Sequence, residues 1–156
     1  MDFYDYLQVK NKVLKIQASN DKILSIAETN SKRSPNPNTL IKKVKSNLDN
    51  YLQTGIIQNS SLYNLCDINI LTPFQKKLSQ VIIQIPPGET MTYKNLSITM
   101  ENSPHYARAI GQALNKNPFL LIIPCQRITS SSDLGGYVLG QEVKKYLINI
   151  ENHIQS

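Results

Sequence analysis

The chain has 156 residues, 40% of them hydrophobic, and carries 17 Lys or Arg against 11 Asp or Glu for a net charge of +6. That length holds one domain or two small ones with a real core, and no stretch approaches the ~20 consecutive apolar residues of a membrane span. The two cysteines, Cys66 and Cys125, make neither a disulfide framework nor a metal-ligand spacing, so reduced thiols and no metal or cofactor are expected.

The opening "MDFYDYLQVKNK" has no basic stretch followed by an apolar one, which argues against a signal peptide and for a cytoplasmic location. Positive charge suits a polyanionic partner, but it is spread evenly. Residues 1–70 carry nine basic and six acidic side chains and residues 71–156 eight and five, so each half nets +3. No basic tract marks a footprint.

"VLKIQA" and "ILSIAE" flank the turn-forming Ser19-Asn20-Asp21-Lys22 and predict a β-hairpin. After the proline-broken "SKRSPNPN", Leu40, Val44, Leu48, Tyr51 and Leu52 recur at helical spacing from Thr39. Residues 54–71 are polar and irregular and are expected to link two parts, with boundaries at 1–68 and 69–156.

Thr72, Pro73 and Gln75 form a capping-box start, after which Phe74, Leu78, Val81, Ile82 and Ile85 make one apolar face. Thr92 caps a short helix "YKNLSITM", and Ser103-Pro104 opens another running to about Lys116. Two short helices joined by a tight turn predict a helix-turn-helix. In its second helix Ala107, Ile110 and Leu114 face inward, while Arg108, Gln112 and Asn115 share the opposite face. That face is either solvated or a recognition surface with one arginine.

The run "FLLII", residues 119–123, fits a buried strand ended by Pro124, with Cys125 at its mouth. "SSSDLGG" reads as a turn. A final helix places Val143, Tyr146, Leu147 and Ile150 on its inner stripe, with Glu151 beside it. A carboxylate there is either partnered or at a frayed helix end. The fold class is α+β: a small N-terminal sheet-plus-helix part and a mainly helical C-terminal part.

"TPFQKKL", "IPPGETMTY", "ARAIG", "NKNPFLLIIPCQRI", "GGY" and "KKYLINIE" occur in the order and spacing of the O6-alkylguanine-DNA alkyltransferases, which the chain resembles closely over residues 71–151. The resemblance implies a ribonuclease-H-like N-terminal part and a winged helix-turn-helix-like C-terminal part. It also implies a monomer that binds duplex DNA through the minor groove and flips out an alkylated guanine, chiefly O6-methylguanine. The alkyl group then passes irreversibly to a cysteine thiolate, a soft nucleophile suited to a saturated carbon.

By position, Cys125 is the acceptor, Asn117 braces its turn and Glu151 ends a proton relay. Tyr93, Arg108, Arg127, Tyr137, Val138 and Leu139 fall at the DNA and base, with Arg108 entering the stack and Val138 and Leu139 lining the pocket. The family motif is Pro-Cys-His-Arg, whereas Gln126 stands here at the histidine. An amide accepts no proton, so Gln126 is expected to donate to the thiolate or hold water, slowing transfer without abolishing it. Val138 and Leu139 are larger than the family's residues and should narrow the pocket; Tyr106 replaces a small one on the DNA face. The alternative is a lesion-binding module without efficient transfer. A cysteine hydrolase would need a histidine at the thiol, and only His105 and His153 are present.

Overall fold

The computed structural model describes residues 2–153; the last three residues of the expected second part, 154–156, lie outside the described residues. Three antiparallel strands, β1 (Phe3–Val9), β2 (Lys12–Ala18) and β3 (Ile23–Glu28), pair in the order β1-β2-β3. The expected hairpin is β2–β3, and β1 is an additional strand that pairs Leu7 with Leu14. Alternation along β1 and β2 sends Leu7, Val9, Leu14 and Ile16 to one face, and a register shift between β2 and β3 brings Ile23 and Ile26 to the same face, all buried.

Helix α1 (Thr39–Thr54) covers that face with Ile41, Val44, Leu48 and Tyr51. Asn38 caps its start, and Gly55 ends it at φ 75, a left-handed conformation that glycine adopts without a Cβ clash. Tyr51 is fully buried, and its ring carries a hydroxyl out of this sheet–helix core into the C-terminal half.

Residues 54–71 connect the two parts as a packed segment with a helix of its own, which corrects the expected irregularity. Helix α2 (Asn59–Tyr63) buries Asn59, Leu62 and Tyr63, and Cys66 and Leu71 join the same core. Helix α3 (Pro73–Ile82) starts with both halves of the capping box formed between Thr72 and Gln75. Strand β4 (Met91–Thr92) leads into α4 (Tyr93–Glu101), capped by Thr92 as expected. Asn102 at φ 54 and a 3-10 turn, Pro104–Tyr106, connect α4 to α5 (Ala107–Asn115), giving the helix-turn-helix pair. Strand β5 (Ile128–Thr129) pairs in parallel with β4, and α6 (Gln141–Asn152) closes the fold.

The apolar run 119–123 is buried throughout but is not a strand, which corrects the expectation. Leu121 sits at φ 71 and turns the chain back, so that the Ile123 amide donates to the Phe119 carbonyl at 2.9 Å. The run hooks onto β3 only where Ile26 donates to Pro118 O and Leu120 donates to Ile26 O. A turn inside a core leaves carbonyls to satisfy. Asn59 does this, its side-chain amide donating to Leu121 O at 3.1 Å and Ile122 O at 2.9 Å.

Asn59→Ala strips partners from both carbonyls and from a buried guanidinium described below. The expected loss of stability is about 2–4 kcal/mol, given that each unsatisfied buried polar group costs about 1–3 kcal/mol. Urea denaturation monitored by circular dichroism measures it.

Candidate active site

Cys125 opens a 3-10 turn, Cys125–Arg127, directly after Pro124 and is 3% exposed. Its amide donates to Ile123 O at 2.8 Å. Asn117, at the end of α5, donates from its side-chain nitrogen to Ile123 O at 3.0 Å and to Cys125 Sγ at 3.3 Å. Its Oδ1 accepts from the Phe119 amide at 2.9 Å, so one side chain holds both ends of the turned run and touches the thiol. Sγ faces a cavity of about 230 Å³ bounded by Tyr93, Gly111, Leu114, Tyr137 and Val138. Neither His105 nor His153 lines it.

The next two residues of the turn face the other way, into a closed polar network. Arg127 is fully buried and grips Glu151 with Nε to Oε1 at 2.9 Å and Nη2 to Oε2 at 3.2 Å. Its Nη1 donates to Asn59 Oδ1 at 2.9 Å and Ile85 O at 2.7 Å. Tyr51 also donates to Glu151 Oε2. Gln126 Nε2 donates to the Tyr51 hydroxyl at 3.1 Å and to Glu151 Oε2 at 3.0 Å. Burial, and then the adjacent Glu151 charge, push the Tyr51 hydroxyl well above its ordinary pKa and keep it a donor.

Two expectations are corrected by this network. Arg127 does not reach the DNA face, because its guanidinium is committed to Glu151, Asn59 and Ile85 inside the protein. Gln126 does not donate to the thiolate, because its amide nitrogen serves Tyr51 and Glu151. Its Oε1 and the Tyr137 hydroxyl are buried without hydrogen-bond partners. Glu151 is partnered rather than frayed, being 2% exposed.

Lys144 lies on the thiol's side of the turn and is fully buried. Its Nζ donates to Ile128 O and, at 2.9 Å, to Gly136 O, and stands 6.0 Å from the centre of the Tyr93 ring. The inward stripe of α6 is therefore Val143, Lys144, Leu147 and Glu151, while the expected Tyr146 and Ile150 are half-buried. Burial pushes Cys125 up to about 11, against smaller downward pulls from the Asn117 hydrogen bond and the Lys144 charge. Burial pushes Lys144 down to about 8, opposed by Cys125 and Asp133. The other cysteine differs in its surroundings: Cys66 lies among core side chains, donates to Leu62 O at 3.6 Å and is pushed up to about 12 by burial.

Outside the cavity a groove of about 600 Å³ runs past Tyr93, Lys94, Arg108, Ser130 and Gly135. Arg108 is exposed, as are Tyr106 and Val138. Leu139 is 2% exposed within the core and does not line the thiol cavity, which corrects its expected place in the pocket. The expected turn over 130–136 is held by Asp133, which accepts from Ser130 Oγ at 2.6 Å and the Gly135 amide at 2.8 Å. Gly135 sits at φ 75, where a side chain is strained, and the Tyr93 ring 3.0 Å from the Cβ position crowds one further.

The family model for the DNA-binding domain of 6-O-methylguanine DNA methyltransferase matches residues 73–153. A probable methylated-DNA–protein-cysteine methyltransferase of Acanthamoeba polyphaga mimivirus is 38% identical over 112 residues, covering 71% of this chain and 74% of that one. The chain belongs to this methyltransferase family. A Saccharolobus islandicus relative named methylated-DNA–protein-cysteine methyltransferase is 42% identical over 85 residues, 54% of each chain, so the match spans about half of that protein's length. Mycobacterium tuberculosis OGT, solved in complex with DNA, superposes with a TM-score of 0.77 at 23% identity over 97% of this chain and 93% of that one. O6-methylguanine-DNA methyltransferase from Pyrococcus kodakaraensis gives 0.67 at 23% identity over 97% and 99%. The shared fold thus includes the N-terminal sheet and helix.

Within this methyltransferase-family fold, the residues missed from sequence are Tyr51, Asn59 and Lys144. Tyr51 fits the apolar period of α1 and Asn59 falls in a polar connecting segment, so neither position marks itself. Lys144 carried a usable signal: with Leu147 and Glu151 it repeats at three and four residues, a stripe that one carboxylate already marked as special.

Arg127→Met tests the internal role of this arginine. It leaves Glu151 buried and unpaired, and the expected loss of stability is about 3–5 kcal/mol. Duplex affinity per folded molecule is expected to stay unchanged in fluorescence anisotropy, whereas an arginine on DNA would also lose affinity.

Proposed function

We propose that the protein repairs DNA by moving the alkyl group of a flipped O6-alkylguanine onto Cys125, once per molecule. The observation that carries this is a free thiol at the wall of a cavity whose rim joins the helix-turn-helix groove bearing Arg108, in a chain of this family. The thiol loses its proton to solvent and forms a bond to the alkyl carbon as the carbon–oxygen bond breaks. The guanine keeps that electron pair and takes up one proton, so the sum is thiol plus alkylguanine giving thioether plus guanine. Asn117 positions Sγ, Tyr93 stands at the cavity mouth within reach of the base, and Arg108 fills the gap left in the stack. DNA is approached through its minor groove by α5.

The second reading, a lesion-binding module, draws support from Gln126. With the thiol pushed up to about 11 by burial, its ionised fraction falls about tenfold for each pH unit below that value. Gln126 supplies no base to offset this, since both of its amide contacts are to Tyr51 and Glu151. Transfer is therefore expected to be slow at neutral pH and to speed up as pH rises.

Intact mass after incubation with a methylated-guanine oligonucleotide separates the readings. A gain of one methyl, mapped to Cys125 and absent in Cys125→Ser, establishes transfer; binding with no gain establishes the module. Gln126→His sets a second nitrogen where the unpartnered Oε1 now lies, while keeping a donor to Glu151. It is expected to raise the single-turnover rate about tenfold or more, within the about 10²- to 10⁴-fold range of general bases, with the largest gain near neutral pH.

Val138 projects a branched side chain at the cavity wall, so methyl transfer is expected to outpace benzyl transfer. Val138→Gly should narrow that difference. Equal rates for both adducts in the unsubstituted protein would remove Val138 as a selectivity element.

A further inference from the structure

The groove and the thiol cavity draw on one side of α5: Ala107, Arg108 and Gly111 line the groove, and Gly111, Leu114 and Asn115 the cavity. The other exposed edge runs through Tyr106, Ala109 and Gln112, three residues apart and therefore stacked along the helix. Tyr106 is 42% exposed, the one aromatic among the large apolar side chains left open to solvent in the described residues. Among those residues its hydroxyl has no hydrogen-bond partner and its ring no aromatic or cationic one. Ala109, next along the edge, is too small to cover it. The backbone beneath is fixed: the Tyr106 amide donates to Ser97 Oγ at 2.9 Å, and Ser97, fully buried in α4, donates to Ser103 O. Pro104 and Asn102, at φ 54, set the rest of the turn. The exposed charged or titratable side chains beside it, His105, Arg108 and Lys94, include no carboxylate, and Glu101 at the end of α4 is paired with Lys77.

We infer that Tyr106 packs its ring on the strand opposite the lesion and so makes the protein prefer a lesion in duplex DNA to the same lesion in a single strand. The inference rests on the proposed function, with α5 at the minor groove. That groove is only about 6 Å wide, so a helix laid against it meets one strand at each of its edges. The edge beside the thiol cavity takes the strand that gives up its guanine, because that base must reach Cys125. The Tyr106 edge then falls to the other strand. A tyrosine offers that strand an apolar ring for deoxyribose and a hydroxyl for phosphate oxygens, and few torsions are frozen in doing so. Flipping the guanine removes one base pair, and a contact on the second strand keeps the opened duplex on the protein. The rigid mount of residue 106 lets the ring make that contact without first ordering the turn.

The test compares one methylated-guanine oligonucleotide as a duplex and as a single strand, by fluorescence anisotropy at fixed salt. A Cys125→Ser background lets binding be read without transfer. Tyr106→Ala is expected to weaken duplex binding roughly tenfold, as truncating an aromatic contact does, and to leave single-strand binding nearly unchanged. Tyr106→Phe keeps the ring and is expected to keep most of the duplex affinity. Melting temperature and circular dichroism establish that each variant is folded; should the alanine variant fail, Tyr106→Gln is read in its place. An alanine variant that binds the duplex as well as the unsubstituted protein, or better, overturns the inference. So does an equal loss on both oligonucleotides, which puts the ring on the lesion strand, and so does a phenylalanine variant as weak as the alanine one. A loss confined to the duplex, with no methyl gained by the protein that retains Cys125, upholds the contact while sinking the transfer reading.

Discussion

The buried pairing of Arg127 with Glu151 is the constraint on which the rest of the site depends. Two charges withdrawn from water are tolerated only when nearly every donor and acceptor is met in good geometry. Meeting them draws in Tyr51 from α1, Asn59 from α2, the Ile85 carbonyl just past α3 and Gln126 from the turn itself. Elements far apart in sequence thereby converge on one buried ion pair. The 125–127 turn is pinned at its last residue, which leaves Cys125, two positions earlier, little freedom to move.

Adjacent residues of that turn serve opposite environments. Gln126 and Arg127 belong to a network whose charges cancel, whereas Cys125 looks out on a cavity walled by Tyr93, Tyr137, Leu114 and Val138. A carboxylate beside the thiol would disfavour the thiolate; here Arg127 neutralises Glu151 before its field reaches Sγ, and the nearby unpaired charge is positive. Asn117 adds a hydrogen-bond donor that favours the thiolate without changing the charge of the site. Charge is sorted between the two sides of a single turn.

The N-terminal sheet and helix also acquire a physical role. None of their residues lines the helix-turn-helix groove, yet Tyr51 of α1 and Asn59 of α2 make three hydrogen bonds of the ion-pair network. Asn59 additionally satisfies the carbonyls of the turned apolar run that leads to Pro124 and Cys125. The family model covers only residues 73–153, while the structural likeness extends over nearly the whole chain. Support for the 125–127 turn through Tyr51 and Asn59 gives that shared N-terminal fold a mechanical reason.

Local signals sufficed for much of the protein. Capping at Thr72 and Thr92, the 3.6-residue period of α1 and the β2–β3 hairpin are short-range chemistry, legible from a few neighbouring residues and found in the structure. The ordered motifs around Cys125 likewise identified the family. Tertiary structure alone decided what each polar side chain faces. Leu121 turned a run that any period-based reading makes a strand, and Asn59, 62 residues earlier, satisfies its carbonyls. Arg127 was drawn inward by Glu151, and Lys144 was buried against the Ile128 and Gly136 carbonyls by the register of α6. Hydrogen-bond and charge satisfaction is a contest among partners distant in sequence, and only folding brings those partners within reach.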